Sequence, residues 1–192
     1  MIKVLSFDPA GEKFGIAGVS LDEGKLSLYF KFLLESPDWD VSRRNTYVAH
    51  ASATIAILDK PNIVVSEKPF GIGYSAQSLK ELIGAIKAEL ATNIAWQGIS
   101  EARKAVLGDG YGGSTKRQTA EWLLQYNWDI KSKRAINEML AQTNDESKDG
   151  YDILDAIVHA LCYLIQNLGM VPVHKPLKEK KRKKSIPEPN SK

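Results

Sequence analysis

Four acidic residues stand where apolar runs end or begin. Asp8 closes IKVLSFD, Glu67 follows Ile63-Val64-Val65, and Asp152 and Asp155 open the apolar segment YDILDAIVHALCYLI. Buried carboxylates repel one another and resist ionising unless a cation joins them, so bringing several together costs stability. Hard divalent ions bound through oxygen, magnesium foremost, are the usual reason to assemble such a group. Asp152 and Asp155 are one helical turn apart and share a face, which runs on through Leu154, Ile157, Val158, Leu161 and Leu164 towards a core. An acid in a first turn also suits the helix macrodipole, but Asp149 before Gly150 can serve there, and two aspartates on an apolar surface read better as metal ligands. Taken alone, Asp8 could be a turn former ahead of Pro9, and Glu67 a solvated strand end or a partner of Lys68.

The other reactive side chains read as structural. His159, one turn after Asp155, is expected to be a packed, hydrogen-bonded histidine outside the site. His50 and His174 lack the spacing of a zinc site, and GDGYGGSTK lacks that of a phosphate-binding loop. Cys162, in ALCYLI, reads as a core thiol. As the single cysteine it forms no internal disulfide, which suits a reducing, cytoplasmic setting.

The elements that must position the acids follow from periodicity. Three strands in a meander are expected from IKVLSFD, FGIAGVSL and KLSLYFKFLL, the second and third joined by a turn at Asp22-Glu23-Gly24. A helix from about Ser42 to Leu58, capped by Ser42, leads to a fourth strand, NIVVSEKPF, ending at Pro69. A helix from about Ala76 to Thr92 carries Leu79, Leu82, Ile83, Ile86 and Leu90 at helical spacing. A short fifth strand (NIAWQGIS), the segment EARKAVLG, a Gly-rich loop, a helix from about Thr115 to Tyr126 and a polar helical stretch over Lys131–Thr143 precede the last helix, Tyr151 to Asn167. Three consecutive strands followed by alternating helix and strand predict an α/β fold with a mixed five-stranded sheet flanked by helices, the ribonuclease H-like layout. Neighbouring first and fourth strands would bring Asp8 and Glu67 to one edge of the sheet.

Charge divides the chain in two. From His174 onward there are eight basic side chains and two acidic ones, an excess larger than the net charge of +3, so the body is mildly acidic. KEKKRKKSIPEPNSK has almost no apolar content and reads as a disordered tail. The expected division is a nuclease-like domain over 1–172 and a basic tail over 173–192, suited to polyanion contact and also compatible with a nuclear address. No run of about 18 apolar residues predicts a transmembrane helix, and MIKVLSFD enters a strand without a signal-peptide layout.

In order and spacing, five segments resemble the RuvC-type Holliday junction resolvases, cellular or viral. They are FDPAGEKFGIAGVS from Phe7, VVSEKPF from Val64, SLKELIGAIKAEL from Ser78, ARKAVLGDGYGGSTKRQTAEWL from Ala102 and DGYDILDAIVHAL from Asp149. The resemblance implies that Asp8, Glu67, Asp152 and Asp155 are metal-binding catalytic carboxylates for two Mg²⁺ ions, with Mn²⁺ able to substitute. It further implies an aromatic that stacks on junction bases at Phe70, with Tyr74 in reserve, and backbone-holding basic residues at Lys104 and Lys116, for which Arg103 or Arg117 could substitute. A homodimer acting on four-way, branched DNA completes the expectation. Rival expectations are a nuclease of the same fold cutting RNA–DNA hybrids or flaps, and a junction-binding protein without catalysis. Two departures from the family pattern stand out: about one extra helix between Lys116 and Asp152, and the basic tail.

Overall fold

The computed structural model describes residues 1–9, 13–35, 40–68, 74–90, 93–108, 116–143 and 151–173. Five strands, β1 (Ile2–Pro9), β2 (Lys13–Asp22), β3 (Lys25–Glu35), β4 (Ile63–Glu67) and β5 (Ile94–Gln97), form one sheet in the order β3-β2-β1-β4-β5. The meander β1-β2-β3 is antiparallel, whereas β4 and β5 run parallel to β1. Glu23 and Gly24 both adopt positive φ in the β2–β3 turn, the backbone that a two-residue hairpin requires.

Helices cover both faces: α1 (Val41–Asp59), α2 (Tyr74–Leu90), α3 (Ile99–Leu107), α4 (Lys116–Leu123), α5 (Ile130–Gln142) and α6 (Tyr151–Leu168). The α1 cap differs from expectation. Asp40, not Ser42, supplies it, its Oδ1 accepting from the Arg43 N–H at 3.0 Å. A shorter side chain two residues further on already lies inside the first turn and cannot reach back to the same donor. The helix expected to run to Tyr126 stops at Leu123; Tyr126 and Trp128 turn inward instead, donating to the Val106 and Leu123 carbonyls at 2.6 and 2.7 Å. Asp149, the other proposed cap, and Pro69 lie outside the described residues.

The period-two alternation of strands decides which side chains meet which helices. In β1, Leu5 and Phe7 point into a core with Val48, Ala49 and Ala56 of α1 and Leu82 and Ile86 of α2. Val4 points the other way, into a second core with Leu154, Ile157, Val158 and Leu161 of α6. Asp8, two pairs along from Val4, therefore emerges on the α6 face. The same parity holds in β4, where Val65 belongs to the α6 core, so Glu67 emerges beside Asp8. Each fully buried side chain such as Phe7 contributes about 1.5–3 kcal/mol, and that burial holds the register against a one-residue slip.

The extra segment before Asp152 has a structural task. Asp129 caps α5 by accepting from the Ser132 N–H at 2.7 Å. The chain there runs along β3: Leu26 N–H donates to Asn127 O at 2.9 Å, Asp129 N–H to Leu26 O at 2.8 Å, and Leu28 N–H to Ser132 Oγ at 2.7 Å. The start of the β3 edge, at Leu26 and Leu28, is thus occupied by the chain itself, which shields that stretch from pairing with other strands. Among the described residues, no helix is long and apolar enough to cross a membrane.

Candidate active site

Asp8 and Glu67 meet at the end of β1, each with an oxygen in one group of donor atoms within 4.8 Å of one another, and Asp155 and Asp152 lie near enough for their charges to act on Asp8. Asp8 is only 5% exposed. Burial, first, and then the charges of Asp155, Glu67 and Asp152 raise its pKa well above the usual carboxylate value. A side-chain hydrogen bond joins it to Glu67; of the two, Asp8 is shifted up by the bond and Glu67 down. Glu67 is nevertheless raised overall, because burial and the Asp155 charge outweigh that bond and the help of Lys116 and Arg103. This is the signature of like charges forced together in a poorly solvated place.

Asp152 is brought in by a close approach of backbones. A Cβ on Gly15 would collide with the Asp152 carbonyl group and come within 2.8 Å of the Ile153 nitrogen. Only a glycine in β2 lets the first turn of α6 settle onto the sheet. Gly15 pairs with Asp8 across the β1–β2 ladder, so one cross-strand pair supplies both an acid and the space for another.

Asp155 is 5% exposed and answered by two cations. Arg103 Nη2 spans its two oxygens at 3.0 and 3.1 Å, and Lys116 Nζ lies 2.9 Å from Oδ2. Burial alone would lower the Lys116 amine, but Asp155, and behind it Asp8, hold its pKa above the ordinary lysine value. Of the four basic candidates, then, Arg103 and Lys116 point into the acidic cluster. Lys104 is exposed on α3, and Arg117 turns to Glu121 at 3.1 Å and to the Thr143 carbonyl at 3.4 Å. Phe70 lies outside the described residues, as do residues 174–192 of the tail; of Tyr74 only the helical backbone is described.

His159 departs from expectation. Its side chain is fully buried, but neither ring nitrogen has a hydrogen-bond partner among the described residues. One of those nitrogens and one oxygen each from Asp8 and Glu67 lie within 4.8 Å of one another. An imidazole buried without a partner costs about 1–3 kcal/mol, so it is not the satisfied core histidine that its apolar helix suggested. The i, i+4 spacing from Asp155 was the available signal, since it puts both side chains on one face of α6. Burial lowers its pKa to about 4, which leaves the ring neutral near pH 7.

Gln97, at the end of β5 and on the same sheet face, was not singled out from sequence. With its amide oriented to satisfy both ends, it donates to the His159 carbonyl at 2.9 Å and accepts from the Tyr163 N–H at 3.1 Å. It therefore ties the helical turn that carries His159 to the sheet. Arg103 Nε, buried beside the cluster, also lacks a partner among the described residues.

The donor set fits a divalent cation. Several carboxylate oxygens converge where burial disfavours their charge, and a bound cation reverses that penalty.

No family model and no curated protein matches the sequence. Solved structures do match. Thermus thermophilus RuvC in complex with a Holliday junction substrate superposes with a TM-score of 0.64 at 18% identity, over 88% of this chain and 98% of that one. Fowlpox virus resolvase in complex with Holliday junction DNA gives 0.53 at 15%, over 84% and 98%. The human cytomegalovirus terminase nuclease domain, soaked with manganese, gives 0.52 at 13%, over 86% and 84%. At these identities the likeness is one of architecture, and the five-stranded mixed sheet with its flanking helices has the ribonuclease H-like fold in the form that RuvC displays.

Proposed function

We propose that the chain is a divalent-metal-dependent endonuclease that hydrolyses phosphodiester bonds in Holliday junctions and other branched DNA. The observation that carries this reading is the gathering of Asp8, Glu67, Asp152 and Asp155 at one end of the sheet, Asp8 and Glu67 with oxygens within 4.8 Å of each other and Asp155 and Asp152 near enough for their charges, after burial, to raise the Asp8 pKa. A protein gains nothing in stability from that arrangement; a metal-dependent hydrolase needs it. The likeness to two resolvases solved on Holliday junctions supports the substrate class.

Asp8, Glu67, Asp152 and Asp155 would hold Mg²⁺ or Mn²⁺, which in such sites lowers the pKa of a water and stabilises charge on the leaving oxygen. The chain's own residues do the rest. Asp8 and Glu67, fixed by the β1–β4 register, present oxygens from a rigid sheet edge. Arg103 and Lys116 neutralise Asp155 and stand where a phosphate would enter, Lys116 with half of its side chain exposed. Both therefore serve to offset phosphate charge at the cut. Phe70 would stack on an unpaired base, the tail after His174 would add salt-dependent, sequence-independent DNA contact, and two symmetric cuts would need a pair of subunits.

A cleavage assay on four-way DNA, flaps, linear duplex and RNA–DNA hybrid, with Mg²⁺ or Mn²⁺, tests the reading. Preferential cutting of the four-way junction supports it. Preference for the hybrid or flap assigns the same site to a different nuclease, and metal-dependent junction binding without any cleavage overturns catalysis.

A further inference from the structure

The ring of His159 is fully buried, yet nothing among the described residues hydrogen-bonds to it. Histidines in protein cores ordinarily donate one ring N–H to a carbonyl or carboxylate, whereas both nitrogens here lack a hydrogen-bond partner among the described residues. One nitrogen shares a space with Asp8 and Glu67 oxygens in which all three atoms lie within 4.8 Å of one another. Donors bound to one ion at about 2.0–2.2 Å are at most about 4.4 Å apart, so small side-chain adjustments suffice to close the set. The position is also held in place: Gln97 clamps the helix at the His159 carbonyl and the Tyr163 amide.

We propose that His159 is a metal ligand which, with Asp8 and Glu67, makes a mixed oxygen and nitrogen site selecting Mn²⁺ or a similar transition-series ion over Mg²⁺. The assignment rests on the reading of Asp8 and Glu67 as metal ligands. Imidazole is a good donor to first-row transition ions and a poor one to magnesium, which prefers oxygen and keeps its waters. The Asp152 and Asp155 side of the cluster keeps an all-oxygen character. One histidine would thus make the two sides of a single site unequal in their choice of ion.

The test uses the full chain loaded with Mn²⁺ and examined by pulsed electron paramagnetic resonance. Coordinated imidazole gives nitrogen modulation, expected in the wild type and lost in His159→Leu. Calorimetric titrations run in parallel: His159→Leu should weaken Mn²⁺ binding about tenfold or more and Mg²⁺ binding less than about threefold. If the wild type binds Mn²⁺ in a manner abolished by Asp8→Asn but shows no nitrogen modulation, the metal reading stands and the role of His159 is overturned. If Asp8→Asn leaves Mn²⁺ binding unchanged, the metal reading fails and takes this assignment with it. Should His159→Leu not fold, the wild-type spectrum alone decides.

Discussion

At the start of β1, Lys3 Nζ reaches Asp59 at 3.2 Å and sits 4.8 Å from the centre of the Tyr29 ring, while Tyr29 donates to the other Asp59 oxygen at 2.6 Å. At the far end of the same strand, Asp8 stands near three more carboxylates and an imidazole that lacks a hydrogen-bond partner among the described residues. The first group is charge-balanced and hydrogen-bonded throughout; the second gathers four acids against two cations, Arg103 and Lys116, both of them spent on Asp155. Both stand on the same scaffold, so the difference is not one of fold quality. A strand that can finish one end with matched partners can finish the other likewise, and a site that withholds them is reserved for something that arrives.

The sharpest way to break this contrast is at Asp8. Asp8→Asn should lower metal-dependent cleavage on the order of 10³-fold or more while raising the thermal midpoint measured in EDTA, because it removes a crowded acid. A variant that still cuts at the wild-type rate would remove Asp8 from the metal site. Gly15→Ala attacks the same end through its packing. It should cost about 1–3 kcal/mol of stability by overpacking and weaken Mn²⁺ binding, seen in parallel urea melts and calorimetry; unchanged metal affinity would mean that α6 can shift without disturbing the acids.

Titration should separate matched from crowded acids by sign. Asp8 has a raised folded pKa, so its contribution to stability is complete below the unfolded value of about 4 and is lost as pH rises through its folded value. Asp129 is the reverse: hydrogen bonding, first from Ser27, lowers its pKa, and its contribution is present above about 4 and lost as pH falls. In urea melts in EDTA, Asp8→Asn should therefore gain on the wild type as pH rises from about 4, while the Asp129 contribution is common to both; identical slopes would contradict the crowding. The smallest effect belongs to the matched end. Asp59→Asn should cost about 1 kcal/mol in a melt and leave cleavage within about twofold.

Much of the site was legible in the sequence because alternation and helical spacing are local properties. Val4-Ser6-Asp8 and Val65-Glu67 step along one face of their strands, Asp152 and Asp155 lie one turn apart, and the antiparallel meander needed only hairpin spacing. The illegible parts depend on approach between distant segments. Nothing in FGIAG states that Gly15 must admit the backbone of Asp152. Arg103 and Lys104 are adjacent on a short helix, and which one faces inward is a matter of phase that nine residues barely define. The hydrogen bond expected of His159 is absent among the described residues, and nothing in its apolar helix signals that. Asp40 caps α1 because the helix starts at Val41, two residues earlier than a cap at Ser42 implies.

One consequence of α6 as the last described element of the α6 core concerns synthesis. Asp8 leaves the ribosome early and Glu67 soon after, but Asp152, Asp155 and His159 follow only after the rest of the sheet has been made. Until then Val4, Val19 and Val65 have no helix α6 to cover them, and the acids of β1 and β4 have nothing to enclose. Domains fold as units once their last necessary segment is available. The order of the elements in the gene thus keeps the acids of the sheet apart from those of α6 until α6 itself has been made.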